Sequence, residues 1–271
     1  MKVKLIDYIK PADVRVAQAA LTSYWSEWSL DNVEKISEKD AEIHVPRVLS
    51  YGHEGILEHV VLQFAVEGCS RACTHQLVRH RHMSFVQRSQ RYITEEENDL
   101  FVVPPTMKSQ KIRISTELIE KVFDLSDGHV KIVPPLDSDE TEVTAGEFYN
   151  TITRLTMESY KALIAAGIPT EDARYVLPQG TKSKIFITTN LREFKHFIGL
   201  RTCMRAQWEI RTLAWKMLEE VVKHDDLRKL VEWAKIGPRC IQLGYCPEKE
   251  LMPIPGCVSK MKKTFMKIVR D

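Results

Sequence analysis

Apolar and polar positions follow two different periods along this chain, and the places where the period changes predict its elements. Mixed apolar and charged residues fall at helical spacing over residues 11–28 and again over about 39–51, which predicts two N-terminal helices. The period then drops to two. In HVVLQFAV, Val60, Leu62, Phe64 and Val66 share one face, and the β-branched content favours a strand closed by Gly68. Ser70 is placed to cap a short helix whose Ala72, Cys73, Gln76, Leu77 and His80 lie three or four apart. That helix delivers Arg79, His80 and Arg81 to its own C-terminal end.

Residues 104–143 are less regular: two Pro-Pro pairs, a charged helical piece near Thr116 to Asp124 and the acidic run DSDETE predict a surface excursion. Helical spacing returns at Phe148, Ile152, Leu155 and Leu163 and ends near Gly167 and Pro169. IFITT (185–189) predicts a second strand, followed by a helix from Asn190. Further on, Ile210, Leu213, Ala214, Met217, Leu218, Val221 and Val222 form a continuous helical stripe that needs a partner surface, here expected to be a neighbouring subunit. Helices and strands do not alternate regularly, which disfavours a doubly wound sheet and predicts an α+β single domain over residues 1–236. Residues 237–271, with four prolines and three cysteines, read as an irregular tail.

The chain has 271 residues, 44% hydrophobic and 28% charged, an ordinary soluble composition that excludes disorder and low complexity. A net charge of +2, from 39 basic and 37 acidic side chains, is too balanced for sequence-independent binding along a polyanion. Asp7, Lys10 and Asp13 interrupt the start where a secretory leader would be apolar, and no run approaches the ~20 apolar residues that span a bilayer. The expectation is a cytoplasmic protein with no membrane partner. Six cysteines without a C-x-x-C pair are expected to be reduced thiols, with no metal site.

The chemistry concentrates in RHRHMSFVQRSQRY, residues 79–92, which packs Arg79, Arg81, Arg88 and Arg91 with two histidines and two serines. Such a cluster calls for an anion. It suits a nucleotide phosphate, gripped by guanidinium forks and by Ser84 and Ser89 hydroxyls, or else a nucleic-acid backbone contacted without catalysis. The balanced net charge and the lack of any nucleic-acid-binding motif favour the small anion.

This segment resembles the flavin-dependent thymidylate synthases, whose pattern R-H-R-x-x-S-x-x-x-x-S-x-R is matched at Arg79, His80, Arg81, Ser84, Ser89 and Arg91. GHEGILEH (52–59), ARYVLP (173–178), Asn190 to His196 and LRTCMRAQWEI (200–210) extend the similarity over most of residues 10–225. The chain departs from many members at Gly55, where Ser or Thr is common, and at Val86-Gln87, where Asn-Glu is common.

The resemblance implies a homotetramer, with a mainly antiparallel sheet packed by long helices, that methylates dUMP to dTMP using methylenetetrahydrofolate and FAD reduced by NADPH. It implies FAD contacts at Gly55, Arg79, His80, Arg81, Gln87, Asn190, Arg192 and His196. It implies dUMP contacts at Gln76, Arg79, Arg174 and Arg201 and along the loop Gln87, Arg88, Ser89, Gln90 and Arg91, donated by a different subunit from the one holding the flavin. Arg201 is expected against the uracil ring, where a guanidinium stabilises negative charge as C5 becomes nucleophilic. His53 is expected near flavin and folate, or else as a helix cap. His59, His75 and His82 are expected to be partly buried structural groups, Cys69 and Cys73 packed thiols, and Cys203 not a nucleophile despite its proximity to Arg201 and Arg205. Two other readings remain open on residue chemistry: a nucleic-acid-binding module, and a flavoenzyme with a different acceptor.

Overall fold

The computed structural model describes residues 1–95, 100–115, 140–250 and 254–270. Its strands are β1 (Lys2–Tyr8), β2 (Val61–Ser70), β3 (Ser84–Gln87), β4 (Lys111–Ser115), β5 (Glu140–Thr144) and β6 (Lys182–Asn190). A four-stranded sheet runs in the order β1-β2-β6-β3, and the pairs β1–β2, β3–β6 and β4–β5 are antiparallel. The architecture is α+β, as expected. The chain divides into two compact units where one domain was expected: Met1–Cys69 with Cys73–Gln87 and Lys184–Asp271, and Ser70–Ala72 with Arg88–Ser183.

In the first unit the alternation read in the sequence positions the sheet. Leu62, Phe64 and Val66 on β2 and Ile185 and Ile187 on β6 are buried, and the Phe64 ring stacks on Phe194 at 5.7 Å. Phe194 belongs to the helix Leu191–Arg201, which begins where β6 ends: the Asn190 side chain accepts the Glu193 backbone N–H at 2.8 Å as its N-cap. The helices Ala12–Leu21 and Glu38–Ser50 match the two expected at the N-terminus, the second opened by a reciprocal Ser37–Asp40 capping box. Between Glu38–Ser50 and β2 lies a 3-10 helix, Glu54–His59.

Four sequence expectations change. The stripe on the helix Trp208–Val222 is buried inside its own chain, with Ile210, Leu213, Ala214, Met217, Leu218 and Val221 wholly covered, so it needs no neighbouring subunit. β2 continues past Gly68, whose φ of +80° accommodates a close approach to the Met1 backbone rather than ending the strand. The helix after it, Arg71–Leu77, stops one turn early and leaves His80 in the following turn. The tail is not irregular: it carries the helices Arg239–Leu243 and Cys257–Arg270, and Phe265 and Val269 of the latter join the core.

The second unit is built around the helix Ala145–Ala165, opened by a Thr144–Glu147 capping box, and the β4–β5 pair. Tyr160, Met157, Leu100 and Ala173 form its buried cluster. The expected helical piece at Thr116–Asp124 lies outside the described residues, as does most of the excursion. No helix among the described residues is long and apolar enough to cross a membrane.

Candidate functional site

His80 is the buried centre of the basic segment. It is 5% exposed, and Phe197 packs edge-on against its ring at 5.0 Å. Its Nε2 accepts a hydrogen bond from Arg201 Nε at 3.0 Å, which places the ring proton on Nδ1, and Nδ1 faces Glu193 Oε1 at 3.5 Å. Burial, with Arg201 and His196 beside it, holds the imidazole down at about 4, below its ordinary 6.5. Glu193 at 3.5 Å does not offset these effects, so His80 is a neutral acceptor rather than half of an ion pair. It fixes the inner edge of the Arg201 guanidinium, and the two terminal NH2 groups make no hydrogen bond among the described residues. They form a fork for a planar partner.

The neutral histidine has a pH consequence. Between about 4 and 6.5 the unfolded chain takes up a proton that native His80 does not, so stability rises with pH across this window and is lost as pH falls through it. The contribution is about 3 kcal/mol at most. His80→Gln keeps an acceptor for Arg201 without a titrating ring, and the slope of the urea midpoint between pH 4 and 6.5 should flatten. An unchanged slope would remove His80 as its cause.

The other first-unit candidates surround this triad through the helix Leu191–Arg201. Lys195 Nζ bonds Glu54 Oε1 at 2.5 Å, and Arg192 pairs with Glu58, so the 3-10 helix carrying Gly55 lies along it. A Cβ on Gly55 would meet nothing within 4 Å, so this backbone faces open space. His196 is exposed, 6.1 Å from the His80 ring centre, and His53 is exposed one residue before the 3-10 helix. Arg79 and Arg81 are exposed with no ion pair among the described residues. Gln76 and Gln87 are half-buried, and Gln87 Nε2 donates to Thr74 Oγ1 at 3.2 Å. His59, His75 and His82 are exposed rather than partly buried, whereas Cys69 and Cys73 are fully buried thiols.

The remaining candidates lie in the second unit. Arg88 turns inward to the buried Glu95 at 3.3 Å and Gln90 is buried, so these two side chains support the loop instead of projecting from it. Ser89 Oγ accepts the Arg91 backbone N–H at 3.2 Å, and Arg91 projects outward to Glu171 Oε2 at 2.7 Å. Arg174 is half-buried and donates from Nε to the Glu171 carbonyl at 2.9 Å. Glu193, beside His80, and Glu171, beside Arg91, are not among the site residues the sequence singles out. The signal for Glu171 was its place three residues before Arg174; none pointed Glu193 at His80. A cleft of about 490 Å³ bounded by Tyr8, Asp13, His224, Asp226 and Lys229 contains none of these residues.

The pattern of the family described as "Thymidylate synthase complementing protein" matches residues 4–225. A flavin-dependent thymidylate synthase of Pyrococcus furiosus is 49% identical over 274 residues, covering 100% of this chain and 99% of that protein. Another, of Geobacter sulfurreducens, is 35% identical over 248 residues, 92% of this chain and 91% of its own length. Among solved structures, a Helicobacter pylori flavin-dependent thymidylate synthase complexed with FAD and dUMP aligns with a TM-score of 0.56 at 25% identity, covering 84% of this chain and 97% of that one.

Proposed function

The chain belongs to the thymidylate synthase complementing protein family, the flavin-dependent thymidylate synthases, and from that premise we infer how its own residues carry out the conversion of dUMP to dTMP. When bound, FAD reduced by NADPH supplies the hydride that ends in the new methyl group, whose carbon comes from methylenetetrahydrofolate. The donor set fits a flavin dinucleotide. Arg79 and Arg81 present guanidiniums with no ion pair among the described residues, suited to its pyrophosphate, the open face at Gly55 admits a ligand against the backbone, and exposed His196 and Arg192 lie on the helix Leu191–Arg201.

The observation that carries the reading is the Arg201 fork held by neutral His80. Arg201 sets its terminal NH2 groups along the edge of the uracil ring and stabilises the negative charge that builds there as C5 attacks carbon. Glu193 faces Nδ1, the protonated nitrogen of His80, and above about pH 4 the Nε2 lone pair that anchors Arg201 is available. Arg91, Ser89 and Arg174 take the nucleotide phosphate, Gln76 and Gln87 its sugar and ring, and Asn190 combines its cap with a flavin contact. His53, exposed beside Gly55, meets the folate side.

Purified protein should carry the absorption of oxidised flavin, and titrating dUMP should perturb that band; a colourless protein that FAD cannot restore would sink this reading. The loop 87–91 serves the site of another subunit in a homotetramer. Val86, Tyr92 and Tyr175 support this, as they stand 73%, 78% and 83% exposed beside the motif and the phosphate arginines. Sedimentation at the mass of one chain under assay conditions would refute the assembly.

A further inference from the structure

Four of the six cysteines, absorbed neither by the core nor by the proposed chemistry, converge in the fold. Cys203 follows the helix that presents Arg201, Cys240 lies on the helix Arg239–Leu243, Cys246 lies just beyond it, and Cys257 opens the helix Cys257–Arg270. All four are free, half-buried thiols. The Cys240 sulfur is within electrostatic reach of Cys203, Cys246 and Cys257, and the Cys257 sulfur accepts the Met204 backbone N–H next to Cys203. Other bonds hold the same segments together: Arg205 pairs with the Glu248 carboxylate and donates to its carbonyl at 3.0 Å, and Gln242 Nε2 donates to the Lys195 carbonyl at 3.1 Å.

The burial pattern of this stretch is unusual. From Arg239 to Lys260 no described residue is buried, and the partly buried ones are Cys240, Ile241, Gln242, Cys246 and Cys257. The side chains turned inward are therefore chiefly thiols. Among the described residues of this stretch Ile241 alone joins the core, too small an anchor to offset by the hydrophobic effect the entropy of ordering them, which is the situation in which small segments use a metal or disulfides.

We propose that Cys203, Cys240, Cys246 and Cys257 bind one Zn²⁺ ion tetrahedrally, knotting the C-terminal segment onto the turn that follows Arg201. Four sulfur donors with no imidazole or carboxylate among them suit zinc in a closed structural site. Binding exchanges four S–H protons for the metal, giving a site of charge −2 and releasing four protons. Arg205, beside Cys257, and the Met204 N–H supply the outer positive charge and donor that such a site uses. Among the described residues no three such side chains already stand in ligating geometry, so the ion must draw the sulfurs inward. The exposed residues on either side of Cys246 and Cys257 leave room for that movement. The sequence hid this arrangement because the cysteines are spaced without a C-x-x-C pair and one comes from a distant segment.

The test uses the full-length protein produced with zinc in the medium. Elemental analysis should find ~one Zn²⁺ per chain, lost in each of C203S, C240S, C246S and C257S. In case a variant fails to fold, wild-type protein stripped of zinc under reducing conditions and titrated with Co²⁺ should show thiolate-to-cobalt charge transfer and tetrahedral d–d bands. Zinc far below one per chain together with no such cobalt spectrum would overturn the proposal. So would retention of zinc by soluble C240S and C246S, iron in place of zinc, or mass-spectrometric evidence that the four cysteines are paired as disulfides in protein alkylated on isolation. These readouts do not depend on turnover, so the site stands or falls separately from the proposed catalytic roles.

Discussion

Arg201→Lys is expected to keep the fold and bound FAD while lowering dTMP formation by a factor of about 10² to 10³, the usual effect of removing one preorganised donor from developing negative charge. The geometry gives the reason. Arg201 has one nitrogen on His80 Nε2 at 3.0 Å and a planar pair of terminal nitrogens left for a ring edge. A lysine ammonium can donate to the histidine or to the uracil, but it cannot present a two-pronged planar edge while holding the histidine. The loss should fall on kcat, because the interaction is strongest when the ring carries charge. Reduction of the enzyme by NADPH, followed without dUMP, should proceed at its wild-type rate and so separates lost chemistry from lost flavin. A lysine variant that forms dTMP at near wild-type rate would show that Arg201 does not face the reacting ring.

This central contact also marks the limit of what the chain discloses before folding. Arg201 and His80 are separated by 121 residues, and no spacing rule joins them. They meet because β6 hands directly into the capped helix Leu191–Arg201, whose last residue reaches the turn after Arg71–Leu77. The elements on either side were legible because each buries one face in a regular period: Leu62, Phe64 and Val66 on β2, and Leu213, Met217 and Val221 on the helix Trp208–Val222. What covers a face is not written in its period, and so an internal core stripe suggested a subunit contact.

Elements with little burial left no readable pattern. β1 buries only Leu5, so no apolar alternation announces it. β3 buries none of its four residues, and its Ser84 and Gln87 read as ligand groups rather than as strand. The helix Cys257–Arg270 does carry Met261, Phe265 and Val269 four residues apart, but the prolines and cysteines before it suggested irregular chain. In the basic motif, residue type distinguished anion chemistry from core. It did not separate Arg88, turned inward to Glu95, from Arg91, turned outward to Glu171, because that difference is fixed by packing.

That outward position makes Arg91, of the phosphate contacts proposed above, the one with the largest expected effect. Its Nε lies 2.7 Å from Glu171 Oε2, with the two side chains 52% and 46% exposed. An exposed pair of this kind contributes little and is screened by salt. A phosphate dianion would offer the same guanidinium a doubly charged, bidentate partner, whose charge-assisted bonds would displace the carboxylate. Arg91→Ala should therefore raise the KM for dUMP about ten- to a hundredfold with little change in kcat. Deoxyuridine, which lacks the phosphate, separates phosphate binding from a disturbed loop. Its weak turnover should be the same in wild type and Arg91→Ala, whereas a collapsed loop would depress both substrates. Glu171→Gln removes the competing carboxylate and should lower the KM for dUMP or leave it unchanged. A rise in KM on that substitution would mean that Glu171 positions Arg91 for the phosphate instead of competing with it, and an equal loss for deoxyuridine in Arg91→Ala would take Arg91 out of the phosphate site.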